Sequence, residues 1–487
     1  MNWSEREQYS HLLRRFGLGA TAEELSNLEK LGLTKSIDAL IDYEKTPVGT
    51  NISPWEFCFQ DKQQIQLDPS RMTRWWVCQM IVTQRPSQEK LALFWHDHFA
   101  VSAAKVESGP LMLGYLQTLR QRANGNFRQL LGAVSKEPAM LRWLDTDTSI
   151  KGQPNENFAR EVMELFTLGI GHYSEKDVQE AARACTGWSI RNLFRGGRPE
   201  EQRAQIRQSI IYRRPLYAST YAEGFHDDEQ MTILGKTSNY DLDGLLDLLA
   251  GRSETAHLIA TKLWSYYAYP NPEPKVVDRI AKVYVDSKMD IRSILAAIAT
   301  SKEFWSDKAL RAQVKSPVDF AIPFVRQLGL RERLIASRAT NAGPMTPISG
   351  EVLAAVDLVA GAMRKQGMTL LYPPDVAGWD WGTAWVSPAM MLERIRFSNQ
   401  VFARGRAQVI VETLNKQIGA EHATPEAVVD ALVVLFDVPV DQTKRAILLS
   451  AVESGGGAAV FQKPQTAVAM LNTLARLMFA MPEYQFC

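Results

Sequence analysis

Apolar side chains recur every three or four residues along most of the chain, which is the spacing of one face of an α-helix. After Thr21, for example, Leu25, Leu28 and Leu31 keep this spacing, and Gly32 is placed to end the helix. The same pattern predicts further helices over 71–84, 88–99, 110–122, 155–169, 175–186, 242–250, 253–268, 275–286, 290–300, 350–366, 388–404, 425–436 and 464–480. The chain is therefore expected to be mainly α-helical.

One region departs from the helical pattern towards β-structure. From about 190 to 235 the chain is basic and contains several glycines. It carries three β-prone stretches, 209–212, 217–221 and 231–234, separated by turn-forming residues. This pattern predicts a small β-hairpin insert between helices.

A second interruption is residues 371–385, the tryptophan loop, which combines paired prolines, glycines and three tryptophans. Paired prolines cannot lie inside a regular helix, so we expect a structured loop. The length of the chain allows a large core or two lobes. We predict a multi-helical body over 1–400 that carries the insert, and a C-terminal helical segment over 401–487 packed on the body.

Charge and composition argue against nucleic-acid binding, a membrane-spanning helix and a cysteine zinc site. Of the 487 residues, 55 are lysine or arginine and 54 are aspartate or glutamate, so the overall basic field that supports nucleic-acid binding is missing. No run approaches the roughly 18 apolar residues of a membrane-spanning helix. The four cysteines show no zinc-binding spacing. The first residues lack the pattern of a signal peptide, so the cytoplasm is the predicted location.

The most informative polar pattern lies in 155–169, which we predict to be a central helix of the body. At about 100° per residue, Asn157, Arg160, Glu161 and Glu164 fall within one narrow arc opposite an apolar face. Two carboxylates three residues apart can share a metal ion or act as an acid/base pair. A solvated face with an ion pair between Arg160 and Glu164 explains the same spacing, and periodicity alone favours it.

A second polar block contains His96 and His98, with Asp97 between them. The helical pattern predicts that His98 faces the core and that His96 points nearly the opposite way. Both rings can bind one metal ion only if the helix ends near His96. The alternative interpretation is a hydrogen-bonded histidine in the core.

A third polar block, His226 and Asp227, lies inside the β-prone insert. A loop histidine beside a carboxylate suits metal ligation, or a base with the group that orients it. An Asx turn or a helix N-cap made by Asp227 explains these residues equally well.

The three rings of the tryptophan loop, Trp379, Trp381 and Trp385, have two interpretations. Exposed rings would stack on a sugar or contact a partner protein. Buried rings would form a plug between helical layers, and the surrounding prolines favour this second interpretation.

Several of these blocks occur in an order that resembles a known family. They are His11-Leu12-Leu13-x-Arg15-x-x-x-Gly19, Phe94-Trp95-His96-x-His98-Phe99-Ala100, Asn155-Glu156-Asn157-Phe158-Ala159-Arg160-Glu161-x-Met163-Glu164-Leu165 and Pro373-Pro374-Asp375-Val376-Ala377-Gly378-Trp379. The order is similar to that of a bacterial family catalogued as domain of unknown function 1800, over about 8–400. Many relatives resemble ELHTLG where this chain has Phe166 in the third place, so a histidine ligand at that position is absent here.

The resemblance implies a protein partner, and it implies no particular activity. Genes of the family often neighbour those of an exported, sulfatase-like family, which implies that the two proteins act together. A folded chain without its own signal could then leave the cytoplasm with a partner that carries one.

Our leading hypothesis is a metal-dependent enzyme, hydrolytic or oxidative, with a site between helices. In this hypothesis a divalent metal ion is held by His96, His98, Glu161, Glu164 and His226. Arg160 and Asp227 are the predicted catalytic residues, Arg160 by pairing with a substrate anion or by orienting a carboxylate.

The alternative is a non-catalytic accessory or chaperone-like protein for the sulfatase-like partner. In that case the polar blocks form a buried hydrogen-bond network, and the tryptophan loop is the contact surface. A third option, sugar binding, requires exposed and roughly coplanar tryptophan rings. Convergence of the five ligands around an open cavity would distinguish the first hypothesis from the second.

Overall fold

The computed structural model describes residues 3–59, 64–193, 197–212, 214–338, 343, 345–402 and 424–487. Its α-helices are α1 Glu5–Phe16, α2 Ala22–Leu31, α3 Leu33–Ile41, α4 Pro69–Val82, α5 Pro86–His98, α6 Ala103–Val106, α7 Gly109–Arg122, α8 Phe127–Ser135, α9 Pro138–Trp143, α10 Glu156–Glu161, α11 Glu175–Ala184, α12 Pro199–Tyr212, α13 Leu242–Ala250, α14 Ser253–Tyr267, α15 Pro274–Asp286, α16 Ile291–Ala299, α17 Pro317–Gln327, α18 Leu330–Ala336, α19 Gly350–Lys365, α20 Pro388–Val401, α21 Pro425–Phe436, α22 Gln442–Ser454 and α23 Pro464–Ala480. A π-helix, Val162–Thr167, continues α10. The prediction of a mainly α-helical chain is confirmed.

Shorter helical turns connect these elements. They are the 3-10 helices Tyr43–Lys45, Pro54–Phe57, Thr146–Thr148, Glu223–Phe225, Gly382–Trp385, Gly457–Gln462 and Pro482–Gln485. Among the helices that the structure describes, none combines the length and the apolar composition needed to cross a membrane.

Side chains just before the helices explain where many of them begin. Thr21 accepts a hydrogen bond from the Glu24 N–H, and the Glu24 carboxylate accepts the Thr21 N–H in return. Ser316 and Asp319 form the same reciprocal pair at the start of α17, where Pro317 is the first helical residue. These bonds satisfy N–H groups that have no partner within the helix, so each one fixes a start that the sequence already indicates.

Four short strands form two separate antiparallel hairpins. Strand β1 (Trp188–Asn192) pairs with β2 (Tyr217–Tyr221), and β3 (Met231–Ile233) pairs with β4 (Lys236–Ser238). The predicted small β insert is confirmed for two of its three β-prone stretches.

The third stretch, 209–212, was expected to be β-structure, and this prediction is wrong, because these residues are the last turn of α12. Ile206 is fully buried, and Ile210, one turn further on, packs against the core. Packing of one helical face therefore outweighs the β propensity of the isoleucines.

The C-terminal helices pack on the body through aromatic rings and buried charges. The ring of Phe324 on α17 lies 4.7 Å from that of Phe479 on α23, measured between centroids. Arg14 of α1 donates to the carboxylate of Asp437, just after α21, at 2.7 Å. The predicted border between body and C-terminal segment adjoins 403–423, which lie outside the described residues, and the division into these two parts stays a prediction.

Candidate functional site

The polar block of His96, Asp97 and His98 lies at the C-terminal end of α5, where the helix continues through His98. His96 is fully buried, and its Nε2 accepts the N–H of Leu371 at 3.1 Å. The proton therefore lies on Nδ1, which is 3.3 Å from the hydroxyl oxygen of Tyr115. Burial lowers the pKa of His96 to about 3, so the ring is neutral, and hydrogen bonds within the protein engage both nitrogens.

Asp97 connects the same end of α5 to the tryptophan loop. Its Oδ1 accepts the N–H of Trp379 at 2.8 Å, and its Oδ2 accepts the indole N–H of Trp381 at 2.6 Å. Burial raises the pKa of Asp97 to about 6, although these hydrogen bonds and Lys262 favour the carboxylate. Gly378 has φ +88°, and a side chain there would lie 2.7 Å from the Asp97 carbonyl oxygen, so the loop needs glycine at this point.

His98 lies on another side of α5 and connects it to the π-helix. Its Nε2 donates to the carbonyl of Phe166 at 3.2 Å. Lys262 of α14 donates to His98 Nδ1 at 3.1 Å and to the carbonyl of Leu165 at 3.3 Å. Carbonyls in the last turn of a helix have no partner within it, so these two side chains supply the missing donors. Burial lowers the pKa of His98 well below its usual value and also lowers the pKa of Lys262.

The prediction of one regular α-helix over 155–169 is wrong in its second half. The helix begins as predicted, because the Asn155 side chain accepts the N–H of Asn157 at 2.9 Å. After Glu161 the chain becomes a π-helix, in which the Thr167 hydroxyl donates to the carbonyl of Val162. A π turn holds more residues than an α turn, so the stripe based on 100° spacing does not extend beyond Glu161. Short π segments in helices often occur at functional sites.

The stripe residues have different partners from those predicted. Arg160 does not pair with Glu164. It donates to both carboxylate oxygens of Glu175, at 2.7 and 2.8 Å, and to Glu156 at 3.2 Å. Glu164 instead accepts a hydrogen bond from the Tyr173 hydroxyl. Arg160 is thus engaged in surface ion pairs and is not directed at the other carboxylate of the stripe.

Glu161 differs from its neighbours, because it makes no hydrogen bond to the described residues although it is half-buried. Burial, the nearby Glu164 and Asp375 of the tryptophan loop all raise the pKa of Glu161, and Arg160 opposes them. We call Glu161, Glu164 and Asp375 the carboxylate cluster. Among the described residues, none of these three carboxylates forms an ion pair with a basic side chain.

The third polar block holds the insert against α11. Arg183 donates to Asp227 through Nε at 2.8 Å and through Nη2 at 3.2 Å, and this ion pair lowers the pKa of Asp227. Asp227 also accepts the N–H of Glu229, which is the predicted Asx turn. His226 Nδ1 lies 3.2 Å from the Thr186 hydroxyl oxygen. These contacts give the block a structural role.

The structure does not bring the five predicted metal ligands together. Across the described residues, no three side chains of histidine, cysteine, aspartate or glutamate are arranged to hold a metal ion. His96 and His98 contact different residues, and each is hydrogen-bonded within the protein. The ligand set as predicted therefore does not fit a single ion.

The tryptophan loop is mostly buried. Trp379 and Trp385 are 6% and 4% exposed, and Trp381 is half-buried with its indole N–H on Asp97. The preference for a buried plug is confirmed. The sugar-binding option required three exposed rings, and it is wrong because Trp379 and Trp385 are buried.

Sequence reasoning missed three side chains of this network: Tyr115, Tyr173 and Lys262. A single lysine in an amphipathic helix normally lies in solvent, so nothing in the α14 pattern indicates that Lys262 turns inward. Tyr115 occupies a core-facing position of α7, and only the position of His96 shows that its hydroxyl has a partner.

A family model described as "Protein of unknown function (DUF1800)" matches residues 11–486. The match includes every polar block described above and extends past residue 400, where the resemblance seen in the sequence ends. No curated protein and no solved structure matches the chain.

Proposed function

The chain belongs to the DUF1800 family, and we propose that it is a non-catalytic accessory protein that binds a protein partner through the tryptophan loop. The observation that carries the proposal is the pair of hydrogen bonds from Trp379 and Trp381 to Asp97. Through this pair, the polar block of His96, Asp97 and His98 holds the tryptophan loop in place.

The loop is attached to α5 at three points. Leu371 donates to His96 at its start, Trp379 and Trp381 donate to Asp97, and Gly378 lies against the Asp97 backbone. A loop held in one conformation loses little entropy when it binds, which favours recognition of a partner. The buried ends of the loop thus prepare its outer surface for binding.

The outer surface of the loop is both apolar and acidic. Pro374, Asp375, Ala377 and Asp380 are exposed. Val386, just after the loop, is 43% exposed. An apolar centre with a charged rim is typical of protein–protein contact surfaces. The acidic rim complements a partner with basic residues around an apolar patch.

The partner class comes from the family resemblance, which implies an exported, sulfatase-like protein. In this proposal the chain binds the folded or folding partner.

The test is co-purification of the chain with a sulfatase-like protein encoded beside it, using wild type, Val386→Asp and Val285→Asp. Val285 on α15 is 62% exposed, which makes it a matched valine far from the loop in sequence. We expect Val386→Asp to lower recovery of the complex about tenfold, which corresponds to about 1.4 kcal/mol. Val285→Asp should behave as wild type. Failure of the wild type to retain the partner, or equal losses in both variants, contradicts the proposal.

The metal-dependent enzyme remains a second proposal, and the observation that favours it is Glu161. Because the described residues offer no third ligand, an ion there would be held by Glu161 and Glu164 together with water. Glu161 has carboxylate neighbours that raise its pKa and has no hydrogen-bond partner in the described residues, so a divalent cation would relieve the repulsion. The test is thermal unfolding with added Mg²⁺ or Mn²⁺. A rise in Tm that disappears in Glu161→Gln supports this proposal, and an unchanged Tm contradicts it.

A further inference from the structure

A recess beside α7 shares no residue with the tryptophan loop. It is a cleft of about 790 Å³, bounded by the loop that contains Trp55, by α7, by the turn between α8 and α9 and by β2. Strand β2 therefore forms one wall of an open space, and this cleft is independent of the proposed function.

The edge of β2 that faces away from β1 is unpaired. Leu193 N–H donates to the carbonyl of Leu216, and Ala222 N–H donates to the carbonyl of Gly187. In an antiparallel pair the residues that exchange such bonds alternate. The N–H and C=O groups of Tyr217 and Ser219 therefore point away from β1.

No backbone group of Tyr217 or Ser219 has a hydrogen-bond partner outside the hairpin in the part of the chain that the structure describes. Both residues line the cleft. An exposed edge of this kind accepts an extended peptide as an additional strand.

The opposite wall of the cleft carries a carboxylate without a cation. Glu137, at the start of α9, accepts a hydrogen bond from the Thr118 hydroxyl through Oε1. Its Oε2 lies beside Gly114 of α7, 3.5 Å from the position that a β-carbon would take there. Arg122 favours the ionised form from beyond ion-pair distance, and burial raises the pKa of Glu137. A largely enclosed carboxylate gains most from a positively charged partner.

The basic side chains that line the cleft are engaged elsewhere. Lys136 Nζ lies 2.6 Å from the carboxylate of Asp243 and 5.3 Å from the centre of the Trp188 ring. Arg214 lies over the ring of Tyr212. Glu137 thus has no ion-pair partner among the described residues.

Two amide side chains complete the wall formed by α7. Gln117 and Gln121 are one helical turn apart and line the cleft, and neither makes a hydrogen bond to the described residues. Each amide can donate to and accept from a peptide backbone.

We infer that this cleft binds an extended polypeptide segment that carries a lysine or arginine. The segment adds a strand to the free edge of β2, its basic side chain pairs with Glu137, and Gln117 and Gln121 bind its backbone. The open edge explains why the ligand is extended, and the unpaired carboxylate explains why it is basic.

The test measures binding of a fluorescein-labelled octapeptide of alternating threonine and lysine to the full chain by fluorescence anisotropy. Its comparison peptides are the threonine–glutamine octapeptide and a threonine–lysine octapeptide with alternate backbone nitrogens methylated. We expect each comparison peptide to bind about tenfold more weakly, because the first lacks the charge and the second lacks the strand hydrogen bonds.

Two variants locate the peptide in the cleft. Glu137→Gln keeps the shape and the acceptor for Thr118 and removes the charge. Ser219→Pro removes an N–H that makes no bond to β1, a change that edge strands tolerate. Each should weaken binding of the threonine–lysine peptide about tenfold, whereas the exposed Glu29→Gln on α2 should not.

Circular dichroism of both variants confirms that they are folded, and the methylated peptide tests the same edge on the unaltered protein. No binding of the threonine–lysine peptide up to about 1 mM overturns the inference. Equal affinities of wild type, Glu137→Gln and Ser219→Pro also overturn it.

Discussion

The end of α5 and the carboxylate cluster are both rich in polar side chains, but they differ in how far those side chains are hydrogen-bonded. At the end of α5, His96 and His98 are buried and Asp97 is half-buried, and each is hydrogen-bonded to another element. In the carboxylate cluster, Glu161 is half-buried among like charges and has no hydrogen bond to the described residues. The first region is a completed network, and the second still lacks a partner.

This difference suggests that the end of α5 serves stability and that the carboxylate cluster serves binding. Enclosed polar groups that are fully bonded specify how helices pack, and removing one of them leaves its partners unsatisfied. A carboxylate that is held near other carboxylates costs stability and is more readily explained by something it binds. Removing Asp97 should therefore lower stability, whereas neutralising Glu161 should raise it.

The largest expected effect is that of Asp97→Ala. The substitution leaves the N–H of the buried Trp379 and the indole N–H of the half-buried Trp381 without their acceptor. We expect the free energy of unfolding to fall by about 3 kcal/mol. Urea denaturation at neutral pH, followed by tryptophan fluorescence, measures this change.

Asp375→Ala provides the matched control in the same loop. Asp375 is exposed and accepts one N–H, from Ala377. Its loss should change the free energy of unfolding by less than about 0.5 kcal/mol, because the lost hydrogen bond and the relieved repulsion of Glu161 act in opposite directions. Similar losses in the two variants would show that Asp97 does not hold the loop.

A smaller effect is expected from pH, because burial raises the pKa of Asp97 from 3.8 to about 6. The folded chain then binds a proton that the unfolded chain has released, so stability is present below pH 4 and is lost as the pH rises through 6. Asp97→Asn cannot release this proton. Between pH 4 and 7 the wild type should lose about 2 kcal/mol relative to Asp97→Asn.

Urea denaturation of both proteins across this pH range gives the difference directly. The contribution of other titrating groups is common to the two proteins and cancels. A difference that stays constant with pH would mean that the pKa of Asp97 is the same in the folded and the unfolded chain.

Sequence periodicity predicted most of the helices, because apolar spacing and capping side chains are local signals. It also predicted that His98 faces the core. It could not predict the π-helix after Glu161, since that change depends on the donors that His98 and Lys262 bring to its carbonyls. These side chains come from helices far away in the sequence.

The candidate site was predicted only in part for the same reason. The polar blocks identify which residues are unusual, but their partners belong to other elements. Arg160 lies one turn from Glu164, yet it pairs with Glu175 of α11. Asp97 was noted only as the residue between two histidines, although it holds the tryptophan loop.

The smallest effect, and the one of opposite sign, is expected for Glu161→Gln. At neutral pH the substitution removes the repulsion between Glu161 and its carboxylate neighbours Glu164 and Asp375. Because the side chain is half-exposed, solvent screens the repulsion. The free energy of unfolding should therefore rise by only about 0.5 kcal/mol.

The pH dependence gives the sign of this effect independently. The pKa of Glu161 is raised in the folded chain, so the wild type loses stability as the pH rises through that pKa and the glutamine variant does not. The gain should therefore vanish at acidic pH. Glu175→Gln is the control and should lower stability, because the ion pair with Arg160 lowers the pKa of Glu175. If Glu161→Gln destabilises the chain instead, Glu161 already has a favourable partner, and the contrast between the two regions fails.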